Sequence, residues 1–227
     1  MDNILLKKLP FLILFLFPLI LFGQNDVTQF LGIPIDGTKS ELIIKLKEKG
    51  FRTKLNAPGV LEGEFNGTDV DLFIATNNNK VRRLAVRNSI PMDESNAKTK
   101  FNKLINQFNK NSKYVPKSDS ILQKYYIPDD EDISDEILLN KKRYQVSFYQ
   151  KSAAYDSIEV EYNSLLGRSD LNEEHIKKLS ELSLSKFDNF MSSLNKDVWF
   201  DLSHDLNGYF ITIFYDNKYN EADGEDL

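Results

Sequence analysis

The sharpest pattern of hydrophobic and polar positions lies in "GTKSELIIKLKEKGF", residues 37–51. Leu42, Ile43 and Leu46 fall on one helical face among lysines and glutamates. Thr38 and Glu41 form a T-x-x-E capping box, in which each side chain satisfies an amide that the first turn leaves free. Gly50 stands where a helix ends in a left-handed residue. The pattern predicts a helix over 39–49. The period then changes. In "VLEGEFNGTDVDLFIATNNNKVRRLAV", Val70, Leu72 and Ile74 alternate with Asp69, Asp71 and Phe73, and Val81, Leu84 and Val86 continue less regularly. Asn66-Gly67 and Asn77 to Asn79 are turn signals, so this stretch predicts a three-stranded antiparallel meander with one buried face.

The helical period returns in "DESNAKTKFNKLINQFNKN", where Ala97, Phe101, Leu104, Ile105 and Phe108 share a face. Asp93 or Ser95 can cap this helix, predicted over 94–111. Residues 112–136 are polar, carry Pro116, Pro128 and "DDED", and read as a loop or linker with a short strand at Leu122 to Ile127. "RYQVSFYQ" and "SIEVEYNSLL" alternate and read as strands. In "NEEHIKKLSELSLSKFDNFMSSLN" the residues Ile176, Leu179, Leu182, Phe187, Phe190, Met191 and Leu194 recur at helical intervals and predict a third helix. "VWFDLSHDLNGYFITIFYDN" predicts a final strand pair joined near Asn207-Gly208.

Helices that follow groups of strands, rather than single strands, predict an α+β class. The expected architecture is an antiparallel sheet with about three amphipathic helices on one face, suggesting a duplicated helix-plus-meander unit. It would form one domain over 24–227, with halves 26–112 and 137–217 joined by a polar linker. In "YFITIFY" both faces are apolar, Tyr209, Ile211, Ile213 and Tyr215 on one side and Phe210, Thr212 and Phe214 on the other. Such a strand is either central and covered on both sides, or it exposes an aromatic face to a protein or glycan partner.

The N-terminus changes where this fold would reside. Lys7 and Lys8 precede an apolar run from Leu9 to Phe22, and Gly23 precedes Gln24. This is the pattern of a secretory signal peptide over 1–23. A membrane anchor is the competing reading, but the run is short for a span and is broken by Pro10 and Pro18. The mature chain is expected in a periplasm or outside the cell, touching the membrane only through this segment before cleavage. With no cysteine, disulfides, thiol catalysis, thiolate metal sites and a lipoprotein anchor are all excluded. The hydrophobic share, 41%, suffices for a core, and a net charge of −5 does not suggest a nucleic-acid partner.

"FLGIPIDGTKSELIIKLKEKGF", followed by "GEF" and "NNNKVRRLAV", resembles the opening of a family of uncharacterised secreted bacterial proteins, whose C-termini also resemble "FYDNKYNEADGEDL". More distantly, "IPIDGTKSELIIKL" followed by strands is similar to the SmpA/OmlA-type envelope-assembly fold and to the β-lactamase-inhibitor-protein fold. The resemblance implies short helices on an antiparallel sheet and a protein-binding role. It carries over no functional residue.

Candidate chemistry is sparse. The two histidines, His175 and His204, lie at a helix start and beside a turn, and no serine sits in a G-x-S-x-G elbow. There is no H-E-x-x-H, Walker loop or G-x-G-x-x-G, so no cofactor is expected. No metal is expected either; the weak calcium candidates are Asp216, Asp223 and Asp226, at spacings that fit no EF-hand. The rest of that tail reads as a strand end plus a polar segment, with Tyr219 and Asn220 as the residues able to dock back. Tyr125 and Tyr126 in "KYYIP", and Trp199 in the penultimate strand, are candidate partner contacts. Ser120 and Ser157 lie in D-S-I triplets resembling acceptors of bacterial periplasmic O-glycosylation. Asn66-Gly67-Thr68 matches an N-glycosylation sequon but reads as turn chemistry. These features point to a non-catalytic binding module of the cell envelope or exterior. The alternative is a carboxylate-based hydrolase whose acid pair has no sequence signature.

Overall fold

The structure is a computed structural model and describes residues 26–117, 122–139, 141–152 and 154–221. The leader expected at 1–23 lies outside them. Among the described residues no helix is long and apolar enough to cross a membrane.

The fold is α+β. Eight strands form one antiparallel sheet: β3 (Arg52–Thr53), β4 (Leu61–Phe65), β5 (Thr68–Asn77), β6 (Lys80–Asn88), β7 (Tyr114–Pro116), β8 (Tyr144–Gln150), β9 (Asp197–Asp205) and β10 (Gly208–Asp216). Their order across the sheet is β3-β4-β5-β6-β10-β9-β8-β7. A separate hairpin joins β1 (Gln29–Phe30) to β2 (Ile33–Pro34). The helices are α1 (Lys39–Glu48), α2 (Glu94–Lys110), α3 (Ile133–Leu138), α4 (Tyr155–Leu166) and α5 (Glu173–Ser193).

Local chemistry explains most of these boundaries. The Thr38/Glu41 capping box starts α1, and Gly50 follows it with φ +97°. Asp93 caps α2 by accepting from the Asn96 amide at 2.8 Å. The meander turns at Asn66-Gly67 and Asn78-Asn79 have positive φ at both central residues, which matches the twist of the flanking strands. In β10, Ile213 sits between Val86 of β6 and Phe200 of β9, so the two expected halves share one sheet.

Helices α1, α2 and α3 complete a single core on one face. Phe101 of α2 meets Phe200 edge-on at 5.1 Å between centroids, and Phe108 stacks on Phe148 at 5.0 Å. Phe30 of the small hairpin reaches Tyr215 and Phe65 at 5.1 and 5.0 Å. The chain after β10 is also tied down. The Asn217 side chain donates to the Ile35 carbonyl, and that of Asn220 to Asp36 and the Val81 carbonyl, each at 2.8 Å. Tyr219 is exposed, so of the two residues able to dock, the asparagine does.

Three expectations are corrected. Residues 122–127 form no strand; Leu122–Tyr125 is a 3-10 turn, followed by α3, and β7 is the strand of this region. The segment crosses the core to bury Ile127 and Ile133, a better use of its apolar residues than extending a sheet edge. "SIEVEYNSLL" is helical, not extended. The alternation of Ile158, Val160 and Tyr162 is overridden by the helical repeat Tyr155, Ile158, Tyr162 and Leu165, all half-buried, while Val160 is exposed. Helix α5 forms as expected, but it pairs with α4 as a hairpin rather than joining the core, and only Leu182 and Ser193 along it are buried. Five helices are present, and the α4–α5 hairpin separates β8 from β9.

The α4 correction is directly testable. A strand would place Ile158 and Val160 on one face, and a helix separates them. Ile158→Ala should destabilise by about 1 kcal/mol, and Val160→Ala should change stability by less than about 0.5 kcal/mol. Urea titrations of both variants check this.

Candidate functional site

Successive side chains on a strand point to opposite faces, so the register of this sheet assigns a second face turned away from α1, α2 and α3. One row across it reads Ser147, Trp199, Phe214, Ala85 and Phe73 on β8, β9, β10, β6 and β5. The next row reads Gln145, Asp201, Thr212, Arg87, Asp71, Glu62 and Arg52. A third sets Asp197 beside Tyr149 and Asp216 beside Arg83. An aromatic row is thus flanked by two charged ones.

At its centre, Trp199 and Phe214 are directly paired across β9 and β10, and their rings stack at 3.9 Å between centroids and 19° apart. The Arg83 guanidinium lies 5.3 and 5.2 Å from the two centroids. It grips Asp216 with both ends of its fork, Nε to Oδ1 at 2.5 Å and a terminal nitrogen to Oδ2 at 2.8 Å. The Trp199 indole N–H donates to Asp216 Oδ2 at 2.8 Å. The hydrogen bond to Asp216 raises the Arg83 pKa against the opposing effect of burial. Four side chains from three adjacent strands therefore fix one another.

Around this cluster, the Arg87 guanidinium sits 3.8 Å over the Phe210 ring, with its Nε buried and without a hydrogen-bond partner. Lys54 pairs with Asp71 at 2.5 Å, and Lys218 with Asp197 at 2.8 Å. Asp201 differs from these paired carboxylates. Burial pushes its pKa up to about 6, while Arg143 and Arg83 pull the other way. It therefore takes up its proton as the pH falls through about 6, well above the ordinary range of a carboxylate.

The candidate residues scatter. Trp199 belongs to the sheet face. Tyr125 and Tyr126 do not: both are half-buried against the core, and the Tyr126 hydroxyl bonds to Asn106, so the loop that carries them is packed rather than presented. Asp216, offered as a calcium ligand, is committed to Arg83 and Trp199. Asp223, Asp226 and Ser120 lie outside the described residues. Ser157 is exposed in the first turn of α4, its hydroxyl donating to the Ala154 carbonyl at 2.9 Å. Among the described residues no cluster of three or more acids and histidines is placed to hold a metal.

His175 completes a capping box with Asn172 at the start of α5. The His204 ring lies 4.4 Å from that of Tyr209, tilted by 43°, with Nδ1 buried and unpartnered. Tyr209 bonds to Ser134 and, at 3.4 Å, to Glu94, which pairs with Lys98 at 2.7 Å. The Lys98 hydrogen bond lowers the Glu94 pKa, so this group ties α2 and α3 to β10 as an ionised network. A crevice of about 440 Å³ at the foot of the small hairpin includes Asp26, Gln29, Gln150, Asp156 and Lys196 in its lining. Both of its carboxylates are paired, Asp26 with Lys196 at 2.8 Å and Asp156 with Lys151 at 3.0 Å.

Arg83, Arg87 and Asp201 escaped sequence reasoning. The signal was present in "KVRRLAVRN", where residues 83 and 87 alternate with Leu84 and Val86. It acquires meaning only with the register against β10. Comparison of the chain with protein-family models, curated proteins and solved structures finds no match.

The raised Asp201 pKa makes stability depend on pH. Between the ordinary value near 4 and about 6, the folded state holds a proton that the unfolded state has lost, so stability falls as pH rises through this window. Asp201→Asn should therefore stabilise the protein at pH 8 by about 1–2 kcal/mol after allowance for solvent screening, and by nothing below about pH 4. Urea titrations of both proteins at the two pH values check the sign.

Proposed function

We propose that the protein is an exported, non-catalytic interaction module that engages a partner protein through the sheet face turned away from α1, α2 and α3. The observation that carries this reading is the fixed cluster of Trp199, Phe214, Arg83 and Asp216. Tryptophan and arginine dominate the energetics of protein interfaces, and groups already locked in place lose little entropy on binding. Strands about 4.8 Å apart and about 20 Å long give the seven-strand face roughly 600 Å², near the share of one partner in a standard interface.

Other features support the same reading. The edge strands β3 and β7 have two and three residues, which leaves little edge for strand addition. A carboxylate hydrolase needs a free second acid beside the raised Asp201, and the oxygens of Asp216 are taken. Export rests on the pattern of residues 1–23.

The test is a pull-down from native envelope and culture supernatant with wild-type, Phe73→Ala and Trp199→Ala proteins. Phe73 is exposed at the end of the aromatic row, so its truncation leaves the fold intact. Each variant should weaken capture by about 5- to 30-fold at an unchanged far-UV spectrum. A partner retained equally by both variants contradicts the proposal, and so does retention of a glycan instead of a protein.

A further inference from the structure

The α4–α5 hairpin carries a second surface. Ile176, Leu184, Phe187, Phe190 and Met191 of α5 are 46% to 67% exposed. At 100° per residue they fall, with Ser180, Ser183 and Leu194, within an arc of about 120°. From Ile176 onward this arc holds no charged side chain; Lys177, Lys178, Glu181, Lys186 and Asp188 all lie outside it. It is also distinct from the flank facing α4, where Leu182 is buried and Lys186 pairs with Glu159 at 3.0 Å. An uncharged, mainly apolar stripe gathered on one face of a helix with no partner on that face is a candidate contact surface.

We infer that the stripe pairs with the same stripe of a second copy, the two α5 helices packing antiparallel about a twofold axis level with residue 185. The positions in the sequence favour this occupant. Ser183 and Phe187, Ser180 and Phe190, and Ile176 and Leu194 are three pairs that share that one midpoint. Antiparallel packing there sets each phenylalanine of one copy against a serine of the other, and Ile176 against Leu194. Large opposite small is how helix surfaces interdigitate, and a twofold interface must be complementary to itself in this way. The hairpin carries eight acidic against four basic side chains over 155–193, a balance that opposes an anionic lipid surface. The stripe is about 27 Å long and about 10 Å wide, so α5 alone hides only about 600 Å² in total. That is below a standard interface, and the dimer is therefore weak and concentration-dependent. It would present two sheet faces together and multiply a modest affinity for a repeated partner.

Sedimentation velocity from about 1 to about 100 μM, a range suited to a weak interface, tests this with Ser183→Phe, Phe187→Ser and the double exchange. Each single change spoils the fit and should weaken dimerisation by at least about tenfold, one by overlap and the other by a void. The double exchange restores large opposite small and should return the affinity to within about threefold of wild type. Both positions are exposed in the monomer, so melting temperatures measured at the dilute, monomeric end of the range should not change, and this is measured alongside. A protein monomeric throughout overturns the inference. So does a dimer that the single changes leave intact or the double exchange fails to restore. Binding to lipid vesicles that Phe187→Ser abolishes, without dimerisation, assigns the stripe to a membrane and likewise overturns it.

Discussion

Strand β10 hydrogen-bonds to β6 on one edge and to β9 on the other, and this double pairing organises the molecule. It joins residues near the C-terminus to the meander formed by β4, β5 and β6, and so closes a loop of more than a hundred residues. The entropy of closing so long a loop must be offset by what the strand buries. Accordingly Tyr209, Ile211, Ile213 and Tyr215 all enter the core beneath α1, α2 and α3. The same strand places Phe210, Thr212, Phe214 and Asp216 on the opposite face. Core and candidate site are thus alternate residues of one segment, and neither can be shifted by one residue without destroying the other.

This coupling explains why the outer face is ordered although α1, α2 and α3 all pack on the other side. Thr212 and Ala85 are largely buried there, shielded by the long side chains around them rather than by another layer. Arg83 does this with its charge satisfied: Asp216 receives both ends of its fork, and Trp199 bonds to the same carboxylate. A bidentate pair of this kind is more than an exposed ion pair, because the rings of Trp199 and Phe214 limit the water that reaches it. Asp201, in the same face, is driven by burial towards its neutral form.

Elements whose signal is local were legible in the sequence. The capping box of α1, the asparagine-rich turns of the meander and the Ala97-to-Phe108 stripe of α2 each rest on contacts a few residues apart. The apolar character of both faces of β10 was equally plain. The failures share a cause. In 155–166 two periods coexist, and only the presence of α5 decides that Tyr155, Ile158, Tyr162 and Leu165 form the packed set. Between 112 and 136 the polar composition hid two isoleucines that the core takes up. The candidate site was legible at Trp199 and Phe214, whereas Arg83 and Asp216 meet only through a register set by distant strands. Tyr125 and Tyr126 show the converse: aromatic residues in a polar loop, drawn inward by Asn106 and the core.

The central claim is that the Trp199 face is open to solvent in the free protein. The chain contains one tryptophan, so its fluorescence reports on this site alone. The most direct measurement is therefore acrylamide quenching of that emission in the purified protein. An open face predicts emission shifted to the red of a buried indole and a quenching constant that is a substantial fraction of that of free indole. Blue-shifted emission that acrylamide barely quenches would show the face to be covered and would contradict the account.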